Sequence, residues 1–179
     1  MRERALVPTR ERDLPLYRRW RNAQADFLRQ DRALTRADQE RWFRDTVLPS
    51  RFDKRPALAM FSILEDGKCV GYCGLTHISW PHKRAEVVFL TATERLRDRK
   101  RYADDFRWCL ELLKSYAFDH LGLERLTMEN HDLRPWHIVA LEKSGFKPEG
   151  RLRGHVVKNG RRLDLLIHGL LASRRGSAH

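Results

Sequence analysis

Apolar positions along this chain change period several times, and each change marks an element. Residues 3–8, ERALVP, have the short extended pattern of a strand. Thr9 stands next as a helix N-cap, followed by acidic Glu11 and Asp13 and the stripe Leu14, Leu16, Tyr17, Trp20. A side-chain oxygen at that point satisfies free first-turn amides, and negative charge suits a helix start. A second helix opens at Thr35, with Asp38 near its start and Trp42, Phe43 and Val47 turned inward. Pro49 stops it, because proline has no amide hydrogen to continue the ladder. From residue 56 the pattern is that of strands. PALAMFSILE, the turn Asp66-Gly67-Lys68 and CVGYCGLTHISW predict a hairpin, since Asp-Gly between apolar runs is a strong short-range turn signal. Pro81-His82-Lys83 turns into a third strand of this group, RAEVVFLTA.

Helical spacing returns over 102–120, where Tyr102, Phe106, Cys109, Leu110, Leu113 and Ala117 share a face and Gly122 follows the last turn. LERLTME (123–129) reads as a strand, and Pro135 through Ser144 as a helix ended by Gly145. RLRGHVV and RRLDLLIHGLL close the chain as a hairpin about Lys158-Asn159-Gly160. The order βααβββαβαββ predicts a mixed α/β fold: a seven-stranded sheet covered by about four helices. No repeat or low-complexity linker interrupts it, so residues 1–179 read as a single domain.

Composition narrows the classes. Hydrophobic residues make up 41% and aromatics 9%, enough for a core, which excludes general disorder. The longest apolar stretches, VVFL and LLIHGLL, fall far short of the ~20 residues a membrane helix requires. The start, MRERALVPTRERD, lacks the apolar stretch of a signal peptide. Cys69, Cys73 and Cys109 cannot all pair, and no second ligand pair joins Cys69-x3-Cys73 to make a zinc site. The chain therefore reads as soluble, cytoplasmic and reduced, with no metal and no membrane partner. Its 36 Lys+Arg against 24 Asp+Glu leave a net charge of +12. Such an excess attracts polyanions; an arginine-rich proteome, in which Arg solvates ordinary surface, is the other reading. The excess is uneven: residues 147–179 hold eight Lys/Arg against only Glu149 and Asp164.

Three local sequences in this order resemble the GNAT acyltransferase superfamily, and within it the ribosomal-protein-acetyltransferase-like branch. They are LPLYRRWRN (14–22) with LTRADQERWF (34–43), DGKCVGYCGLTHISWPHKRAEV (66–87), and ALEKSGFKPEGRLRGHVVKNGRRLDLLIHGLL (140–171). The resemblance runs over nearly the whole chain. It implies a mostly antiparallel sheet in which two neighbouring strands, here 84–91 and 123–130, splay apart. The pantetheine arm of an acyl donor would lie between them, and an amine acceptor would approach from the other side.

The departures from that family are specific. Members carry a glycine-rich loop before the long helix, whose amides and helix N-terminus bind the pyrophosphate of coenzyme A. Here the interval is ATERLRDRKRYADDF (92–106), longer and without glycine. Side chains that resist the dihedrals glycine allows would remodel such a cradle. The cluster Arg95, Arg97, Arg99, Lys100 and Arg101 stands in its place. Three readings follow: a solvated charge run, side-chain contacts to the phosphates of coenzyme A, or contacts to the phosphates of a tRNA.

Candidate chemistry is sparse. Amide formation needs the amine deprotonated, the carbonyl polarised and the leaving group protonated. Glu86 lies in a strand apolar on both faces, so a carboxylate there needs a reason. The resemblance implies a general base, often acting through water; a structural pair with Arg84 or another arginine is the alternative. Burial would raise its pKa toward working pH. The family's acid, a tyrosine, is replaced by Leu141, and an asparagine near the start of the same helix by Arg134. His137, one turn before Leu141, is the substitute acid, with a structural histidine as the other reading. His77, Trp80, Arg134 and Trp136 are candidates for the acceptor pocket, against ordinary packing.

The departures fall where coenzyme A would be held. They favour a GNAT-fold acyltransferase that forms an amide on an amine acceptor with aminoacyl-tRNA as donor. The alternative is an acyl-CoA-dependent N-acetyltransferase acting on a small amine or a protein N-terminus. A third reading, from another class, is a non-catalytic domain that binds RNA or protein. No permanently bound cofactor is implied, and an open sheet edge allows a monomer or a homodimer.

Overall fold

Two turns set the frame of the sheet. Asp66 and Gly67 both take positive φ, 48° and 75°, as do Asn159 and Gly160 at 50° and 74°. This is the turn whose twist matches that of two antiparallel strands, and few residues tolerate it. The first turn joins β2 (Ala59–Glu65) to β3 (Lys68–Ser79), and the second joins β6 (Lys147–Lys158) to β7 (Arg161–Leu171). With β1 (Arg4–Pro8), β4 (Arg84–Thr91) and β5 (Arg125–His131), they form one sheet in the order β1-β2-β3-β4-β5-β7-β6. The computed structural model describes residues 2–173. Arg174 and Arg175, two of the eight C-terminal cations, lie outside the described residues.

All neighbours in the sheet are antiparallel except β4 and β5. Those two are parallel and pair over only three residues, ending at Glu86 opposite Thr127. The expected seven strands, and the splaying of the two strands predicted to part, are therefore present.

Alternation along the central strands feeds two cores. Ile63, Cys73, Leu75, Val87, Phe89, Leu126 and Met128 pack with Phe106, Leu110 and Leu113 of α3 (Arg99–Ser115) and Leu141 of α4 (Pro135–Lys143). On the opposite face Met60, Tyr72 and Leu90 pack with Leu14, Tyr17 and Trp20 of α1 (Leu14–Ala23) and Phe43 and Val47, which follow α2 (Arg36–Trp42). Thr35 caps α2 as expected: its hydroxyl accepts from the Asp38 amide, and the Asp38 carboxylate accepts from the Thr35 amide.

Two expectations about helix ends change. Thr9 is not a cap; its amide donates to the Met60 carbonyl at 3.1 Å, extending the first strand pairing, and one tight turn, Glu11–Asp13, intervenes before α1. Pro49 does not stop the second helix, which runs on through a wide turn (Phe43–Val47) into Leu48–Ser50. There Pro49 sits in the first positions of a new turn, where no amide hydrogen is required of it.

Candidate active site

The parting of β4 from β5 leaves a cleft of about 380 Å³ in the middle of the sheet. Its walls come from both strands, from β3, from α2 and from the segment 24–34 between α1 and α2. That segment is held in shape by Asn22, whose side chain donates to the Leu34 carbonyl at 2.9 Å and accepts from the Leu34 amide at 2.8 Å. Asn159 of the β6–β7 turn donates to the Asp26 carboxylate at 2.9 Å, tying the same segment to the far side of the sheet.

Glu86 sits where the strands part, and it is buried. Arg29, from the covering segment, donates to one of its oxygens and also reaches Glu129 Oε2 at 2.7 Å. The other Glu86 oxygen lies 3.1 Å from His77 Nδ1. His77 takes a φ of +50° where the pairing of β3 with β4 shifts register between Thr76 and Ser79. A bulge of this kind re-aims a side chain, and here it joins the imidazole to Glu86. Burial holds the Glu86 carboxyl above the ordinary carboxylate range; Arg29 pulls it down, Glu129 pushes it up, and His77 pulls it down.

Four buried side-chain atoms on the cleft walls lack hydrogen-bond partners: Gln39 Oε1, Thr76 Oγ1, Asn130 Nδ2 and His131 Nε2. Buried polar groups are almost always paired, so four of the eight unpaired ones among the described residues meeting on the walls of one cleft mark it as a place where a polar ligand could complete the set. His131 Nδ1 donates to the Asp26 carbonyl at 3.1 Å, and burial pulls its pKa down.

The structure brings together only some of the residues the sequence pointed to. Glu86 and His77 meet in the cleft, and the alternative of an arginine partner for Glu86 is realised through Arg29 instead of Arg84. Trp80 faces away: its indole donates to the Pro56 carbonyl at 3.1 Å, and its ring packs on the core. Arg134 lies over the Phe27 ring at 3.9 Å and donates to Gln24 Oε1 at 3.0 Å; burial lowers its pKa. Trp136 packs edge-on against Tyr102, with Arg99 and Arg134 about its ring at 6.0 and 5.9 Å.

His137 requires a correction. It is sealed in the core, with Nδ1 taken by the Tyr102 hydroxyl at 2.9 Å and Nε2 by Asn130 Oδ1 at 3.0 Å. Burial pulls its pKa down to about 3, so it stays neutral, and with both ring nitrogens bonded inside the core it does not serve as the acid.

The basic cluster also divides. Arg95 is buried between Glu65 at 2.8 Å and Asp105 at 2.5 Å, and Arg101 donates to Glu65 as well. These two hold the glycine-free segment, a tight turn over Thr93–Arg97, against the end of β2 and the side of α3. Arg97, Arg99 and Lys100 stay exposed. Asp98 caps α3 by accepting from the Arg101 amide at 3.0 Å, so a carboxylate already occupies that helix start. The sequence reading missed Arg29, Glu129 and Asn130, which stand in no recognisable motif and meet only through the fold.

Residues 6–167 match the sequence model of the acetyltransferase (GNAT) domain family. No curated protein matches the chain by sequence. Among solved structures, that of spermidine N-acetyltransferase from Vibrio cholerae in complex with CoA and spermine superposes with a TM-score of 0.81 at 20% identity, covering 94% of this chain and 95% of that one. A chimera of that SpeG enzyme with hSSAT gives 0.79 at 20% identity over 94% and 95%. A dodecameric structure of the Vibrio cholerae enzyme gives 0.75 at 19% identity over 94% and 93%. At such identities these likenesses speak for the fold alone, and the family match does not single out the ribosomal-protein branch. The strand order, the parted pair and a family match over nearly the whole chain agree: the chain belongs to the GNAT acetyltransferases.

Proposed function

We propose that this chain transfers an acetyl or similar acyl group from a coenzyme A thioester to the amine of a small cationic acceptor. The observation that carries this reading is the pair of carboxylates, Glu86 and Glu129, sharing one guanidinium at the point where β4 and β5 part. Two acidic groups held that close favour a cation between them, and an acceptor's ammonium is the natural replacement for Arg29.

In the reaction the acceptor nitrogen attacks the thioester carbonyl. A C–N bond forms, the C–S bond breaks, and the ammonium proton must leave. Glu86 is the group proposed to take it, because burial lifts its pKa toward the range where a carboxylate accepts protons. His77, within 3.1 Å of the same carboxylate, leads the proton on toward solvent. The donor's arm fits the gap between the strands, where the inward edge of β4 has no ladder partner beyond Glu86. Arg97, Arg99, Lys100 and Arg134 are left to meet its phosphates.

The leaving group favours a thioester over an aminoacyl ester. Leu141 and His137 are both fully enclosed, so neither expected acid position serves the cleft. A thiolate, with an ordinary thiol pKa of about 8.5, departs near neutrality without an acid, which a ribose hydroxyl does not. The tRNA reading also loses Arg95 and Arg101, two of the five cations on which it rested.

The test is calorimetric binding of coenzyme A to the whole chain. It is joined to release of free thiol from acetyl-CoA in the presence of spermidine or a simple monoamine. Saturable binding with amine-dependent thiol release is expected. Retention of mixed tRNA at physiological salt with no coenzyme A binding would overturn the reading.

A further inference from the structure

Asn130 lies on β5 three residues beyond the last β4–β5 pair, about 10 Å along the strand at ~3.3 Å per residue. It is 4% exposed and borders the cleft, on the side of β5 shared by core residues Leu126 and Met128. Its two side-chain atoms differ. Oδ1 is 3.0 Å from His137 Nε2, whereas Nδ2 is enclosed and has no partner. The Tyr102 hydroxyl is 2.9 Å from His137 Nδ1. Burial keeps the tyrosine protonated and the histidine neutral. The chain of bonds then runs one way: the hydroxyl donates to Nδ1, Nε2–H donates to Oδ1, and the Asn130 amide hydrogens are left over.

Three buried polar side chains among Phe27, Phe106 and Leu141 thus serve to fix one amide group whose own donor is unused. An enclosed donor without a partner is costly, and an apolar side chain there would avoid that cost. A carbonyl oxygen brought in by a ligand accounts for both the relay and its loose end. On the acyl-CoA reading above, on which this inference rests, the thioester lies near Glu86. The arm would then run along the open edges of β4 and β5, with its amide groups abreast of Asn130.

We propose that Asn130 donates a hydrogen bond from its side-chain amide to an amide carbonyl of the acyl donor's pantetheine arm, with His137 and Tyr102 as positioning residues. The histidine expected from sequence to be an acid becomes the middle of a relay. The test compares binding of coenzyme A with binding of its phosphorylated adenosine diphosphate part, which lacks the arm, to the whole chain. Asn130→Ala should weaken coenzyme A about tenfold, as loss of one such bond implies, and leave the nucleotide part unchanged. Tyr102→Phe should weaken coenzyme A by a smaller factor, raising KM for acetyl-CoA and sparing kcat. Unchanged affinity in a folded Asn130→Ala protein, or equal loss for both ligands, overturns the proposal. A spectroscopic measurement needs no variant: in isotope-labelled protein, coenzyme A should shift the Asn130 side-chain amide protons downfield, and no shift overturns it. If the unaltered protein binds no coenzyme A, the proposed function itself fails. If it binds and Asn130 is silent, only this inference does.

Discussion

Arg95 and Arg29 each lay one guanidinium across two carboxylates, Glu65 with Asp105 in the first case and Glu86 with Glu129 in the second. Their surroundings differ. The Arg95 side chain is 9% exposed and its partners 10% and 8%, so little water reaches any of the three. Arg29 is 43% exposed and Glu129 31%, with only Glu86 enclosed. The same ionic motif is a rivet where it is dry and a removable plug where one side stays wet. A run of basic residues in the donor segment looked like the ligand-binding feature, yet its first member is the rivet. An arginine outside any basic run, in an unremarkable segment, is the plug.

Breaking the rivet should have the largest effect. Arg95→Ala leaves Glu65 and Asp105 enclosed, and removing one member of a buried ion pair costs about 3–5 kcal/mol. Arg101 and Arg4 remain to neutralise them, which puts the loss near the low end. That corresponds to a fall in Tm of roughly 6–12 °C for a chain of this size. Thermal unfolding followed by circular dichroism measures it, and an unchanged Tm would mean that the cluster does not hold the segment.

Next comes the buried carboxylate on the wet side. Glu86→Gln keeps the shape and removes the proton acceptor, so kcat should fall about a hundredfold or more while Tm stays put. A variant with full activity would transfer the role of base to another group.

Arg29→Ala should have a smaller effect, and one opposite in sign to most truncations. Without the plug, a cationic acceptor meets two free carboxylates, and its KM should drop several-fold. Arg29 pulls the Glu86 pKa down against burial, so its loss lets that pKa rise. Activity needs the deprotonated form, and therefore the acid limb of the pH–rate profile should move to higher pH. A profile unmoved by the substitution would separate Arg29 from the base.

Smallest of all, Arg99→Ala with Lys100→Ala should raise KM for the acyl donor a few-fold and lessen its dependence on salt. Exposed cations contribute little each and are screened. A loss of thermal stability instead of donor affinity would make these residues structural.

Elements governed by neighbouring residues were legible without the structure. The Asp66-Gly67 and Asn159-Gly160 turns require positive φ, which few residues supply, and the Thr35–Asp38 cap closes within one turn. Thr9 and Pro49 were misread because a distant strand claims the one and a wide turn accommodates the other. The site was less legible. Spacing puts His137 on the face of Leu141, but spacing does not say that this face turns into the core. A charge run reads as surface until Glu65, thirty residues from Arg95 in sequence, arrives to bury it. Arg29, Glu86 and Glu129 are brought together only by sheet order, and no local pattern announces them.

The parted strands have a consequence for how the molecule survives among its own copies. Where β4 leaves β5, two rows of backbone donors and acceptors face each other across a slot. Edges of that kind on an outer strand invite pairing with any extended chain and seed association. Here β3 and β7 flank the slot, and segment 24–34 roofs it, with Arg29 pinned to its floor. The sheet thus keeps its parted edges in the interior, between β3 and β7 and under segment 24–34, and not on an outer strand.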